Sequence, residues 1–130
     1  MKLRSPDFRR AKLWQILLAC YWTALFLGTH LPVTLPALPG DSIDKLVHAA
    51  AFAVLAILLA TTWQLAAGRP VRGRLWLVWT AVVLYGAVDE WTQGLVGRRV
   101  SLGDWLADAV GALTGLAFFA WMKRRGAPEE

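Results

Sequence analysis

Four segments of this 130-residue chain, at about 13–31, 43–67, 75–95 and 102–122, are apolar over a length close to the thickness of a bilayer. A membrane-crossing helix needs about 20 predominantly apolar residues at about 1.5 Å rise each. The expected fold class is therefore all-α: a polytopic membrane protein of four transmembrane helices with both termini on the cytoplasmic side. Composition agrees. The chain is 57% hydrophobic and 18% charged, against about 45–50% and about 25% in ordinary soluble domains. Its length leaves no room for a separate soluble domain. The expected organisation is a cytoplasmic basic leader at 1–12, a membrane domain at 13–122 and a cytoplasmic tail at 123–130.

The punctuation between the segments supports these limits. Pro32, Pro36, Pro39 and Gly40 break the chain after the first span, since proline cannot continue a helix. Asp41 or Ser42 can cap the second span, and Asp44 suits its first turn through the helix dipole. Gly68-Arg69-Pro70 ends it. Gly94 and Gly97 bracket the end of the third span, and Ser101-x-x-Asp104 is a capping pattern for the fourth. Leu17-Leu18-Ala19-Cys20 looks like a lipoprotein cleavage box, but the apolar run continues beyond Cys20, so the segment is read as an uncleaved helix. The single Cys20 excludes an intrachain disulfide and a cysteine metal cluster.

Orientation follows from basic residues. With the N-terminus inside, the inner segments hold eleven of the fourteen Lys and Arg, leaving Lys45, Arg98 and Arg99 outside. That is the positive-inside bias, and it accounts for the net charge of +5. Nucleic acid is excluded as a partner, because the basic residues are scattered over both ends and a short loop. Trp14, Trp63, Trp76 and Trp121 fall near the inner boundary, and Trp91 and Trp105 near the outer one, as aromatic belts do.

The stretch 85–115 departs from this apolar background. Asp89, Glu90, Gln93, Arg98, Arg99, Ser101, Asp104 and Asp108 all fall in it. A charge within a membrane costs roughly 2.5–3.5 kcal/mol on insertion scales. These groups must be paired, protonated or near water. At about 1.5 Å per residue, His48, Asp89 and Asp108 each lie roughly 5–10 Å below the outer boundary. Three helices thus place ionisable groups at one depth, as a shared polar pocket requires. Asp44 and His48, Asp89 and Gln93, and Asp104 and Asp108 are i,i+4 pairs on single faces. Asp89 and Glu90 point about 100° apart, so only one can face a given partner; which one is left open. Ala107, Gly111 and Gly115 form a small-residue ridge that admits a close neighbour.

Each residue also has a plainer reading. Asp44 and Asp104 can be caps, Lys45 a snorkelling lysine, Arg98 and Arg99 solvated loop charges, and His30 an interfacial residue. His48, Asp89, Glu90 and Asp108 fit packing less well, because unpartnered burial is costly.

Asp44-Lys45-x-x-His48-x-x-x-Phe52, then Asp89-Glu90-x-x-Gln93, Arg98 and Ser101-x-x-Asp104-x-x-x-Asp108-x-x-Gly111-x-x-x-Gly115, resembles the ordered motifs of the VanZ-like membrane proteins. The resemblance covers about residues 29–118. It implies a multi-pass protein of the bacterial cell (inner) membrane in a cell-envelope context. It also implies a link to low-level glycopeptide (teicoplanin) resistance, and it supplies no reaction. The family often has Asn where this chain has Asp108, which can ionise.

Three functions are compatible with the residues. In the first, an outward-facing pocket binds or acts on an anionic, phosphate-bearing envelope lipid. His48 serves as acid or base, with Asp89, Glu90 and Asp108 as orienting or partner groups. Lys45, Gln93, Arg98, Arg99, Ser101 and Asp104 serve binding, an arginine holding the headgroup. The second is a small proton-coupled transporter. The third is a structural or partner-binding protein locked by its polar cluster. No cofactor is expected, and the spacing of one His with carboxylates assigns no metal.

Overall fold

A computed structural model describes residues 8–31 and 41–125 of the chain. Four α-helices and one short 3-10 turn account for nearly all of them: α1 (Phe8–His30), α2 (Asp41–Ala67), the turn Arg72–Arg74, α3 (Leu75–Leu95) and α4 (Leu102–Arg125). The all-α expectation holds. Residues 1–7 of the leader, the proline loop at 32–40 and the last five tail residues lie outside the described residues, and so does the side chain of Asp41 proposed as a cap.

Three of the helices, α1, α2 and α4, are long and apolar enough to cross a membrane. The fourth, α3, is not among them, so the count of four spans is met only in part. Its 21 residues are sufficient in length. Asp89, Glu90 and Gln93, crowded into its last two turns, lower its apolar character. Helix bounds also shift. The leader's Arg9, Arg10 and Lys12 belong to the first turns of α1, and Lys123, Arg124 and Arg125 to the last turn of α4. Cations suit the carbonyl end of α4. Many large apolar side chains are exposed on the helix exteriors, among them Leu84, Trp91, Leu106, Val110 and Leu113. A soluble protein rarely shows such a surface, whereas lipid covers it.

The contacts fix the helix directions. Ala49 of α2 faces Gly111 of α4, and Ala53 faces Gly115, so α2 and α4 run parallel. The Trp79 indole N–H donates to the Ala109 carbonyl at 3.0 Å, and that of Trp105 to the Val83 carbonyl at 3.1 Å, so α3 and α4 are antiparallel. Tyr21 donates to the Ala51 carbonyl at 2.8 Å and Thr62 to the Trp14 carbonyl at 3.3 Å, which makes α1 and α2 antiparallel. The bundle is up-down-up-down. The start of α1, the end of α2, the 3-10 turn and the end of α4 lie at one end. His30, the start of α2, the end of α3 and the start of α4 lie at the other.

The tightest seam is α2 against α4. A Cβ on Gly111 would fall 2.6 Å from the Ala49 Cα, and one on Gly115 would fall 2.9 Å from the Ala53 Cα. The ridge legible in α4 therefore has a partner ridge of alanines in α2, and the two backbones touch. Phe52, Leu55, Val78, Val82, Leu116 and Phe119 fill the core beside this seam. By contrast, α1 buries only Ala11 among its residues. It is held to the rest by Leu18, Tyr21 and Leu25, which pack half-buried against the core, by hydrogen bonds, and by the Trp22–Tyr85 edge contact, with centroids 4.9 Å apart.

Candidate functional site

The link between α3 and α4 sets up the site. Gly97 has φ +78°, and its N–H and that of Arg98 reach back to the Gly94 and Gln93 carbonyls at 3.3 and 3.0 Å. This is a Schellman close, which favours glycine at the left-handed position. Val100 folds over Gly94, where a Cβ would meet its methyl at 2.9 Å. The chain thus turns at once into α4, whose first turn sits beside the last turns of α3.

Half of the expected capping box forms. Ser101 Oγ accepts the Asp104 N–H at 3.2 Å. In the full box, the Asp104 carboxylate would return the favour to the Ser101 N–H. Glu90 of α3 does so instead, with Oε2 accepting that N–H at 2.9 Å. Asp104 is left to face Lys45, whose Nζ lies 3.9 Å from its Oδ1. The stem of Lys45 crosses Gly103, where a Cβ would fall 2.9 Å from its Cε.

Below this cap lies the part-buried pair. His48 Nδ1 is 3.0 Å from Asp108 Oδ1. Asp108 is 1% exposed and Glu90 4%. One atom each of His48, Glu90 and Asp108 lie within 4.8 Å of one another, as do atoms of Asp44, His48 and Asp104 nearer the surface. Either group has the ligand types to hold a cation. The other oxygen of Asp108, Oδ2, is buried with no hydrogen-bond partner among the described residues. Gly86 of α3 lies against it: a Cβ there would be 3.3 Å from Oδ2 and 3.2 Å from the Phe52 ring. Any side chain at position 86 would press on the carboxylate.

Asp89 belongs to a different network. Its Oδ1 accepts from the Tyr85 hydroxyl at 3.1 Å and the Thr29 hydroxyl at 3.2 Å, and its Oδ2 accepts from Gln93 Nε2 at 2.9 Å. His30 Nδ1 is 3.8 Å from Oδ1, and His30 Nε2 is 2.8 Å from the Thr92 hydroxyl. His30 is held further by stacking on Phe26 at 3.9 Å between centroids. This set ties α1 to α3.

The question left open between Asp89 and Glu90 is thereby answered in geometry. Glu90 faces His48 and Asp108, and Asp89 faces α1. Of the sequence-derived candidates, His48, Glu90, Ser101, Asp104, Asp108 and Lys45 gather in one polar cluster where the start of α2, the end of α3 and the start of α4 meet. Gln93 goes with Asp89, and Arg98 and Arg99 are exposed beside the turn. Four contributors were not singled out: Thr29, Tyr85, Gly86 and Thr92. Tyr85 stands four residues before Asp89 on the same face, which is a readable signal. Thr29 and Thr92 carry none, because the bonds that bring them into the network, to Asp89 and His30, cross between helices.

Comparison with known proteins adds one finding. The family model described as VanZ/LLP1 matches residues 7–123, nearly the whole chain. No curated protein and no solved structure matches it.

Proposed function

The chain belongs to the VanZ-like family, and from that premise we propose that it binds, or acts on, an anionic envelope lipid at the bundle end opposite its termini. The observation that carries this reading is the part-buried His48–Asp108 pair at 3.0 Å, with Glu90 beside it and the Lys45–Asp104 pair nearby. A carboxylate on one ring nitrogen fixes the imidazole orientation and steadies its charged form, which suits an acid or base. Lys45 and the exposed Arg98 and Arg99 supply positive charge for a phosphate, the arginines through paired donors. The basic residues of the described chain crowd the opposite end, at Arg9, Arg10, Lys12, Arg69, Arg72, Arg74 and 123–125. By the positive-inside rule this distribution supports a cluster facing outward from the bacterial inner membrane, where envelope lipids are handled. A role in glycopeptide (teicoplanin) tolerance follows from the same reading.

Native mass spectrometry of the detergent-purified protein tests it. A co-purifying phospholipid or polyprenyl species should be present in the wild type and depleted in His48→Ala and Arg98→Ala. Equal retention in all three removes the cluster as the binding site. The transporter alternative is weaker, because among the described residues the carboxylates and both histidines lie toward one end of the bundle, and the charged residues at the other are all basic. The stapling alternative fits the Asp89 network, whose carboxylate oxygens are both satisfied. It does not fit Asp108, which keeps an unsatisfied oxygen.

A further inference from the structure

In the cluster of His48, Glu90 and Asp108, carboxyl groups outnumber the imidazole. Glu90 and Asp108 are two carboxylates, and His48 supplies at most one positive charge. Lys45 is turned toward Asp104. Asp108 Oδ2 is buried without a donor among the described residues. Buried carboxylate oxygens ordinarily have a donor or a cation, and an exception calls for a physical account.

We propose that His48, Glu90 and Asp108 hold a divalent transition-metal ion, Zn2+ or Mn2+. The three residues are near enough to converge on one ion. Two adjacent ligands at about 2.1 Å from an ion are separated by about 3.0 Å in an octahedral set and about 3.4 Å in a tetrahedral one. His48 Nδ1 and Asp108 Oδ1 are 3.0 Å apart in a hydrogen bond, and an ion would take the place of the proton between them. One ligand atom from each of the three residues lies within 4.8 Å of the others, so small side-chain rotations complete the set. One imidazole nitrogen with carboxylate oxygens suits zinc or manganese better than the all-oxygen sets that calcium and magnesium take. The Ser101 N–H on Glu90 Oε2 orients that carboxylate from behind, as outer-shell partners of metal ligands do. Asp44 and Asp104, nearer the surface, would draw a cation inward. Three protein ligands leave a coordination position for water or for a phosphate oxygen. The ion site does not depend on the lipid reading; in the loaded protein His48 is a neutral ligand through Nδ1, in place of the acid or base role given to it above.

The test uses the full-length protein in detergent without added lipid, stripped with chelator and reloaded with Mn2+ or Zn2+ alone. The expected result is one ion per chain. Bound Mn2+ should show nitrogen coupling in pulsed EPR, retained in His30→Gln and lost in His48→Gln. Affinity should fall at least tenfold in Glu90→Gln and Asp108→Asn, and change less than about twofold in Asp89→Asn. Absence of stoichiometric binding, or bound Mn2+ without nitrogen coupling, overturns the proposal. So does unchanged affinity in Asp108→Asn, or dependence on Asp44 and Asp104 alone. Should a ligand variant fail to fold, the nitrogen coupling of wild type and His30→Gln still decides the matter.

Discussion

Glu90 and Ser101 are joined by a 2.9 Å hydrogen bond in which a side chain of α3 caps the backbone of α4. The bond anchors one carboxylate of the cluster and the start of the helix that carries the other. The cap and the site are therefore one construction. Glu90→Ala should destabilise the protein by about 1–3 kcal/mol, the cost of leaving a buried N–H unmet. Ser101→Ala should cost about 1 kcal/mol as a lost N-cap. Asp104→Asn should cost far less than either, because its carboxylate does not complete the box. Thermal unfolding in detergent ranks the three, and a large loss in Asp104→Asn would contradict the geometry.

The α2–α4 seam predicts a contrast between glycines. Gly111→Ala and Gly115→Ala place a methyl against the main chain of Ala49 and Ala53, which cannot rotate aside. Overpacking costs about 1–3 kcal/mol, and backbone obstruction puts these at the upper end. Gly28→Ala on α1 meets nothing within 4 Å and should be neutral or stabilising by up to about 1 kcal/mol from helix propensity. Melting temperatures and the amount of protein in the membrane fraction report both. Equal tolerance at positions 28 and 111 would mean the two helices do not touch there.

Asp89 and Asp108, alike in burial, should differ in consequence. Asp89→Asn turns one acceptor oxygen into a donor facing Thr29 and Tyr85 or Gln93, and should loosen α1 at a cost of about 1–3 kcal/mol. Lipid retention should survive in the protein that remains folded. Asp108→Asn keeps an oxygen for His48, so stability should change less while lipid retention is lost. Pairing thermal unfolding with native mass spectrometry separates the two, and parallel losses in both variants would merge the networks that the structure keeps apart.

Trp79 and Trp105 should act as cross-links between α3 and α4 rather than as boundary markers. Trp105→Phe keeps the ring and removes the N–H to the Val83 carbonyl, which should cost about 0.5–1.5 kcal/mol. Trp91→Phe, an exposed residue with no such bond described, should be close to neutral. Chemical or thermal unfolding of the two variants side by side measures the difference.

The sequence made the helices legible because apolar length and glycine or proline punctuation are local signals. Gly97 and the end of α3 were readable in that way, and so was the small-residue ridge at Gly111 and Gly115. The partner of that ridge was not, since Ala49 and Ala53 look like any alanines in an apolar run. The depth argument grouped His48, Asp89 and Asp108, whereas His48 contacts Asp108 and Asp89 turns to α1. It could not divide Asp89 from Glu90, because the rotation of α3 is set by packing against both α1 and α4. Nor could it foresee that Glu90 would take the place of Asp104 in the cap, an exchange between helices that a pattern within one helix does not contain.

The two glycines of α4 also bear on how the cluster can change. His48 adjoins Ala49 in the chain, and Asp108 stands one turn before Gly111, so main-chain contact holds the backbones that carry imidazole and carboxylate at one separation. Lipid-facing substitutions leave that separation alone, and only side-chain rotation can part the two groups. A chain could diversify its whole exterior and still inherit the same spacing between the two backbones.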